Sequence, residues 1–318
     1  MNRVGLVLGA GGLTGEAFHA GVLDALHEAT GWDPRRAEII VGTSAGSIVG
    51  TYLRLGVDTV DLAAHLLGVP TSESASAIFD RMGPEAEFLP DGPRTWPRLP
   101  QVSLLAGIAR GRVMPGAFLA SVLPEGRIPT EPWARRIHQA AGKGWPTEHL
   151  LICALRRRDG HRVVFGRPDA PTVDVADAIA ASCAIPTFFR PVEIKGEHYV
   201  DGGAHSPTNA DVLRHEALDL VIVSAPMSTS RRVVRMNPDQ GIRWGHRLQL
   251  TREAARLRRA GIPVVAFQPD GGDIAVMCSD AMNARRVGAV VQRVRTSVAE
   301  RLRAGAHREA LAGLDFAA

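Results

Sequence analysis

The stretch IIVGTSAGSIVG, Ile39 to Gly50, sets a β-branched run directly against a segment rich in alanine and glycine that has helical spacing. At its centre, Gly42-Thr43-Ser44-Ala45-Gly46 places one serine between two glycines at the junction. A Gly-x-Ser-x-Gly turn between strand and helix bends the chain sharply. The glycines remove side chains that would collide where the backbone doubles back. The serine hydroxyl is then presented near a helix N-terminus, where unpaired N–H groups and the helix dipole favour developing negative charge. Serine at such a junction also serves as a plain helix cap. On this stretch alone, Ser44 as nucleophile and Ser44 as cap both stay open.

Outward from this turn, hydrophobic periodicity predicts a strand at Val4 to Leu8. A helix is expected from about Gly15 to Glu28, with Phe18, Val22, Leu23 and Leu26 on one face. A second strand is expected at Ile39 to Val41, followed by a helix from about Ala45. Further strands are expected at Leu150–Ala154, Val163–Phe165, Tyr199–Val200, Leu220–Ser224 and Pro263–Phe267, with helical segments between several of them. Strands alternating with helices predict an α/β fold whose sheet is covered on both faces.

Between the first strand and helix lies Gly9-Ala10-Gly11-Gly12, with Gly15 just beyond. A glycine loop in this position aims backbone N–H groups at an anion. A dinucleotide site requires the full Gly-x-Gly-x-x-Gly and an acidic residue ending the second strand. Here the frame ending at Gly15 starts with Ala10, the frame starting at Gly9 ends with Thr14, and the second strand runs into Gly42-Thr43-Ser44. An oxyanion loop needs only donors beside a nucleophile on the neighbouring strand, and that is the better fit.

Downstream, VADAIAASCAIPTFFRPVEIKGEHYVDGGAHSPTNAD brings a helix to an end before Pro186, then a short hairpin, then Tyr199-Val200-Asp201-Gly202-Gly203. Taken with the two N-terminal motifs, the chain resembles the patatin-like phospholipase family over Gly9 to Gly203. The resemblance implies a three-layer α/β/α hydrolase fold with a mostly parallel central sheet. It further implies cleavage of acyl esters of lipids by a Ser-Asp dyad, without histidine, metal or cofactor. By motif match Ser44 is the nucleophile, Asp201 its partner, and Gly11 and Gly12 the oxyanion donors. Gly42, Gly46, Gly15, Gly202 and Gly203 support the three motifs. Two departures stand out: Ala10 interrupts a run that family members fill with glycine, though it still offers its N–H, and Thr14 occupies a position that is basic in many members. A second Asp-Gly-Gly at Asp270 is the decoy. His205, His215, His246 and His307 keep open an ordinary Ser-His-Asp esterase. A lipid-binding or regulatory protein that has lost turnover is the remaining alternative.

Ten of the 21 prolines fall between Pro70 and Pro132, among Phe88, Leu89, Trp96, Leu104, Leu105 and Ile108. Residues 68–132 are therefore expected to form an insertion in a single domain spanning 1–318, either an irregular surface excursion or a cap over an apolar site. Near the C-terminus, residues 283–303 are expected to be an amphipathic helix with Val287, Val291, Val294, Val298 and Leu302 in one stripe. That stripe either packs on the domain or lies on an anionic bilayer.

At 318 residues and 45% hydrophobic, the chain can bury a substantial core. No run reaches the roughly 18 apolar residues of a membrane span, and the N-terminal apolar run is too short for a secretory signal. Cys153, Cys183 and Cys278 lack metal-ligand spacing and read as thiols in a reducing compartment. A cytoplasmic protein is expected, with peripheral contact to a membrane surface as an open alternative. The net charge of +4 rests on arginine, since Lys143 and Lys195 are the only lysines. With two tyrosines and no basic run interleaved with aromatics, nucleic acid is a poor partner. A lipid or acyl-ester substrate is the expected one.

Overall fold

In a computed structural model, which describes residues 3–82, 90–93, 95–111, 113–230, 238–312 and 314, β1 (Val4–Leu8) leads into α1 (Gly12–Thr30). β2 (Ile39–Gly42) leads into α2 (Ala45–Arg54) and α3 (Thr59–Leu67). The proline-rich region carries α4 (Glu73–Met82), α5 (Val102–Ala109) and α6 (Pro115–Val122), and α7 (Glu131–Ala141) follows. Phe88 and Leu89 lie outside the described residues. Next come β3 (Leu150–Arg156), β4 (His161–Phe165), α8 (Val175–Ser182), β5 (Val192–Ile194) and β6 (Glu197–Asp201). β7 (Leu220–Ser224), α9 (Pro238–Arg259), β8 (Val264–Phe267), α10 (Gly271–Met277), α11 (Val287–Arg303) and α12 (Arg308–Leu311) complete the order.

Among the described residues the strands form one eight-stranded sheet, connected in the order β5-β6-β3-β2-β1-β7-β8, with β4 paired to β3. The centre is parallel, from β3 through β2, β1 and β7 to β8. Side-chain alternation divides the core into two layers. Leu6, Leu8, Ile40, Ile152 and Ile222 face Phe18 and Leu23 of α1, Val49 of α2 and Val294 of α11. Val7, Val41, Leu151, Val221 and Val223 face the opposite way, onto Leu250, Ala254 and Leu257 of α9. The fold is a three-layer α/β/α sandwich. All five residues of β1 are buried, as expected of a central parallel strand covered on both sides.

One detail of the sheet positions the site. Ile152 pairs with Phe165 of β4 and with Gly42 of β2, while Ala154 pairs with Val163 of β4 and with Asp201 of β6. A strand residue has one neighbour on each lateral side. β4 occupies the same side of both residues, so β2 and β6 share the other side and end facing each other across Cys153. Two segments distant in sequence thus deliver their last residues to one gap.

The structure shifts some boundaries. α1 begins at Gly12, with Gly11 as its N-cap, so Gly15 lies within the helix and donates its N–H to the Gly11 carbonyl at 2.9 Å. β5 is an edge strand of three residues, too short for its alternation to register in the sequence. In α11, Val291, Val294 and Val298 are fully buried against the domain, and Arg295 reaches Asp24 of α1 at 3.0 Å. No helix among the described residues is long and apolar enough to cross a membrane.

Candidate active site

Ser44 sits where β2 turns into α2, with φ +52° and ψ −123°. A non-glycine residue in that region of backbone space carries on the order of 1–3 kcal/mol of strain, which the surroundings must hold. They do so on both sides. The Ser44 N–H donates to Ser182 Oγ at 2.9 Å, and the Ser182 hydroxyl donates onward to the Cys153 carbonyl at 2.7 Å. The Ser47 hydroxyl donates to the Ser44 carbonyl at 2.6 Å. The flanking glycines are sterically obligatory: a Cβ on Gly46 would lie 1.9 Å from the Leu8 carbonyl oxygen, and one on Gly42 would lie 2.5 Å from Ser47 Cα.

Asp201 closes β6 at the same gap, buried to 5% exposure. Its carboxylate accepts from the Gly203 N–H at 2.7 Å. Burial pushes this carboxyl up to about 6, against the Gly203 N–H and the nearby Ser44 hydroxyl, which both favour the charged form. The Gly203 N–H bond is the short, directed one at this carboxylate. Resting hydroxyl–carboxylate pairs are often long and tighten only around substrate. Gly202 lies against β3, where a Cβ would meet the Cys153 carbonyl. The buried Cys183 thiol also adjoins Ser44, and burial holds it well above the usual thiol range.

The glycine loop comes to the site from β1. His19 of α1 fixes it from below, with Nε2 2.7 Å from the Gly9 carbonyl and Nδ1 2.7 Å from Ser224 Oγ. Burial lowers His19 to about 4, so its imidazole is neutral. Because a carbonyl can only accept, Nε2 carries the proton and Nδ1 accepts from the Ser224 hydroxyl. The Ala10 N–H, expected from the sequence to be on offer, instead donates to the Pro207 carbonyl at 2.8 Å. Gly11 and Gly12, at the N-terminus of α1, make no such bond with their N–H groups among the described residues. The Thr14 side chain is buried, and its N–H donates to the Ala281 carbonyl at 3.1 Å.

Ser44 opens into a narrow slot of about 60 Å³ lined by Gly12, Leu13, Ile48, Trp133, Ile185 and Phe189, among others. That is far below the roughly 300–1,000 Å³ of pockets that enclose a drug-sized ligand. Thr130, at the end of the proline-rich region, and Trp133 of α7 form one wall. Glu16 is the one carboxylate in the lining among the described residues.

Asp270 and the four histidines lie elsewhere. Asp270 caps α10 in a reciprocal capping box with Asp273 and meets Arg293 at 3.5 Å. His205 lines a different cavity, and burial together with Arg162 lowers it to about 4. His246 donates from Nδ1 to the Met227 carbonyl, His215 accepts from Arg214, and His307 stands edge-on to Phe267. None of them lines the slot. Among the described residues, His138, Asp174 and Asp177 stand close enough to share a cation, and none of these lines the slot either. Ser182 and His19 were missed by sequence reasoning. Ser182 lies within the ASCAIP stretch and His19 within the first helix, but nothing local marks their roles, which rest on hydrogen bonds to Ser44, Cys153 and Ser224 far along the chain.

Residues 6–214 match the family model for patatin-like phospholipases. The chain belongs to the patatin-like phospholipase family. That membership puts it among lipid acyl hydrolases. Among solved structures, VipD from Legionella pneumophila is similar over 96% of this chain and 67% of its own, at 14% identity and a TM-score of 0.44. No curated protein sequence matches the chain.

Proposed function

We propose that this patatin-like protein is a serine-dependent hydrolase of carboxylic esters in phospholipids or other acyl lipids, working through Ser44 and Asp201. The observation that carries the reading is the convergence of β2 and β6 on one gap. A strained serine and a buried carboxyl of raised basicity meet there, with no histidine in the lining among the described residues. A carboxylate is a weak base near neutral pH, and raising it to about 6 brings it closer to its task.

In this reading Ser44 Oγ attacks the ester carbonyl carbon while Asp201 takes the hydroxyl proton. The carbonyl oxygen becomes negative against the N–H groups of Gly11 and Gly12, assisted by the N-terminal end of α1. Ala45, the residue after the nucleophile, is the natural third donor. The adduct collapses, Asp201 returns the proton to the departing alcohol oxygen, and the acyl group stays on Ser44. A water then gives its proton to Asp201 and attacks the acyl carbon. The fatty acid leaves as Ser44 recovers that proton. A slot of about 60 Å³ admits a short acyl group, so a long chain requires the wall formed by Thr130 and Trp133 to move. Thr130, at the end of the proline-rich region, and Trp133 thereby act as the movable edge of the slot.

The test is a panel of acyl esters and lipids run with wild type and Ser44→Ala, alongside labelling by a fluorophosphonate. Wild type is expected to label at Ser44, and Ser44→Ala to lose about 10³-fold or more of the turnover. Turnover near wild type in Ser44→Ala refutes the assignment. A folded wild type that neither labels nor turns over any ester assigns the site to lipid binding instead.

A further inference from the structure

A larger cavity, about 630 Å³, lies apart from the acyl slot and shares no lining residue with it. Its walls carry five arginines: Arg156 of β3, Arg162 of β4, Arg167, Arg214 and Arg256 of α9. Two of them are locally neutralised. Arg156 binds Asp159 at 2.7 Å, and Arg167 reaches Glu216 at 3.4 Å. The other three converge on a single carboxylate, Asp211, with Arg162 at 2.6 Å, Arg256 at 3.2 Å and Arg214 at 3.8 Å. Burial acts to neutralise Asp211, but Arg162 and Arg256 outweigh it and hold the carboxyl below its ordinary range.

Three guanidiniums around one carboxylate leave positive charge facing the cavity, where Asp169 is the other acidic lining residue among the described residues. Arg214 and Arg256 are about half exposed, at 46% and 53%, so the Nη groups not held by Asp211 can reach a ligand. His205 also lines the cavity, and its Nδ1 is buried without a hydrogen-bond partner. Guanidinium forks match the oxygens of a phosphate in bidentate geometry and carry their charge at any physiological pH. The volume exceeds what a bare phosphate fills.

The cavity is wired to the catalytic elbow. Arg162 Nη1 donates to Asn209 Oδ1 at 3.2 Å as well as to Asp211, and Asn209 Nδ2 donates to Thr43 Oγ1 at 3.1 Å. Thr43 immediately precedes Ser44. An anion that draws Arg162 Nη1 away takes a partner from Asn209 and loosens the brace on the elbow.

We propose that this arginine-lined cavity binds a phosphate-bearing anion, and that occupancy lowers turnover at Ser44 through Arg162, Asn209 and Thr43. Binding and catalysis are separable readouts, so the site can be tested whatever the substrate of Ser44.

Two arms identify the source of the phosphate. Inorganic pyrophosphate is titrated calorimetrically into the full chain. Flotation is run on vesicles of phosphatidylcholine with and without phosphatidate. Pyrophosphate binding identifies a soluble ligand, and flotation that depends on phosphatidate identifies a lipid headgroup. In either arm Arg214→Gln/Arg256→Gln, checked for folding by circular dichroism, is expected to bind at least tenfold more weakly, and Ser44→Ala to bind as wild type does. Wild type that binds in neither arm overturns the site. So does a double variant that binds like wild type, or binding that is lost in Ser44→Ala. The bound anion is expected to lower kcat on a short neutral ester several-fold in wild type and not in the double variant. An unchanged kcat in saturated wild type overturns the coupling.

Discussion

Replacing Asp201 by asparagine is expected to destroy turnover and, at neutral pH, to make the protein more stable. The carboxyl is buried, and its raised value of about 6 against an ordinary 3.8 means that folding penalises its charged form. At about 1.4 kcal/mol per pKa unit, the shift of roughly two units is worth ~3 kcal/mol. The sign follows from the direction of the shift. The protonated carboxyl costs the fold nothing, so the stability is fully present below the unfolded value of 3.8 and is lost as pH rises through about 6. Asparagine keeps an oxygen for the Gly203 N–H and never ionises. An unfolding entropy of about 2.1 cal/mol/K per residue makes 1 kcal/mol worth about 1.5 °C in a chain of this size. Asp201→Asn should therefore melt about 4 °C above wild type near pH 7.5. Near pH 4.5 most of the wild-type carboxyl is protonated in the fold, about 2 kcal/mol is recovered, and the gap should shrink to about 1–2 °C. Scanning calorimetry of both proteins at the two pH values checks this. A gap that does not change with pH refutes the claim that the charge on Asp201 is held at a cost.

Three further outcomes are expected. The pH profile of kcat/KM on a soluble ester should rise through about 6 and then level, because Asp201 works only when ionised; a profile that is flat from pH 5 to 8 removes it as the base. Ser182→Ala takes the acceptor from the buried Ser44 N–H and should cost about 1–3 kcal/mol in denaturant unfolding, with kcat falling more than KM rises; an unperturbed kcat would mean that the elbow does not depend on this brace. Asp270→Asn and His205→Ala should each keep most of the turnover on a neutral ester in folded protein, since neither side chain lines the acyl slot; loss in His205→Ala equal to that in Asp201→Asn would redraw the dyad as a triad.

The elements that set up chemistry locally were legible in the sequence. Glycines at 42 and 46 mark the elbow because no other residue fits beside Leu8 and Ser47. The β-branched runs at Val4–Leu8 and Leu220–Ser224 mark buried parallel strands because nothing polar has to face out. Asp201 was distinguishable from Asp270 only through the pattern around it, since both precede two glycines. What stayed hidden depends on distant contacts. The Pro207 carbonyl takes the Ala10 N–H, Ser182 supports Ser44, and the arginines around Asp211 come from β4, the 3-10 helix Ala210–His215, and α9. None of these has a local periodicity to betray it, because each is set by which strands lie side by side.

The meeting of β2 and β6 end to end along β3 also acts as a timing device. During synthesis the serine leaves the ribosome first, and the residues between it and Asp201 take on the order of 10–30 s to add at roughly 5–20 residues per second. Until β6 docks on Ala154, Leu155 and Arg156, Ser44 lacks the carboxylate proposed as its base. The wait is imposed by sheet geometry and needs no propeptide or inhibitor. On the proposed dyad, a nascent or partly unfolded chain therefore carries a serine that has nothing to take its proton.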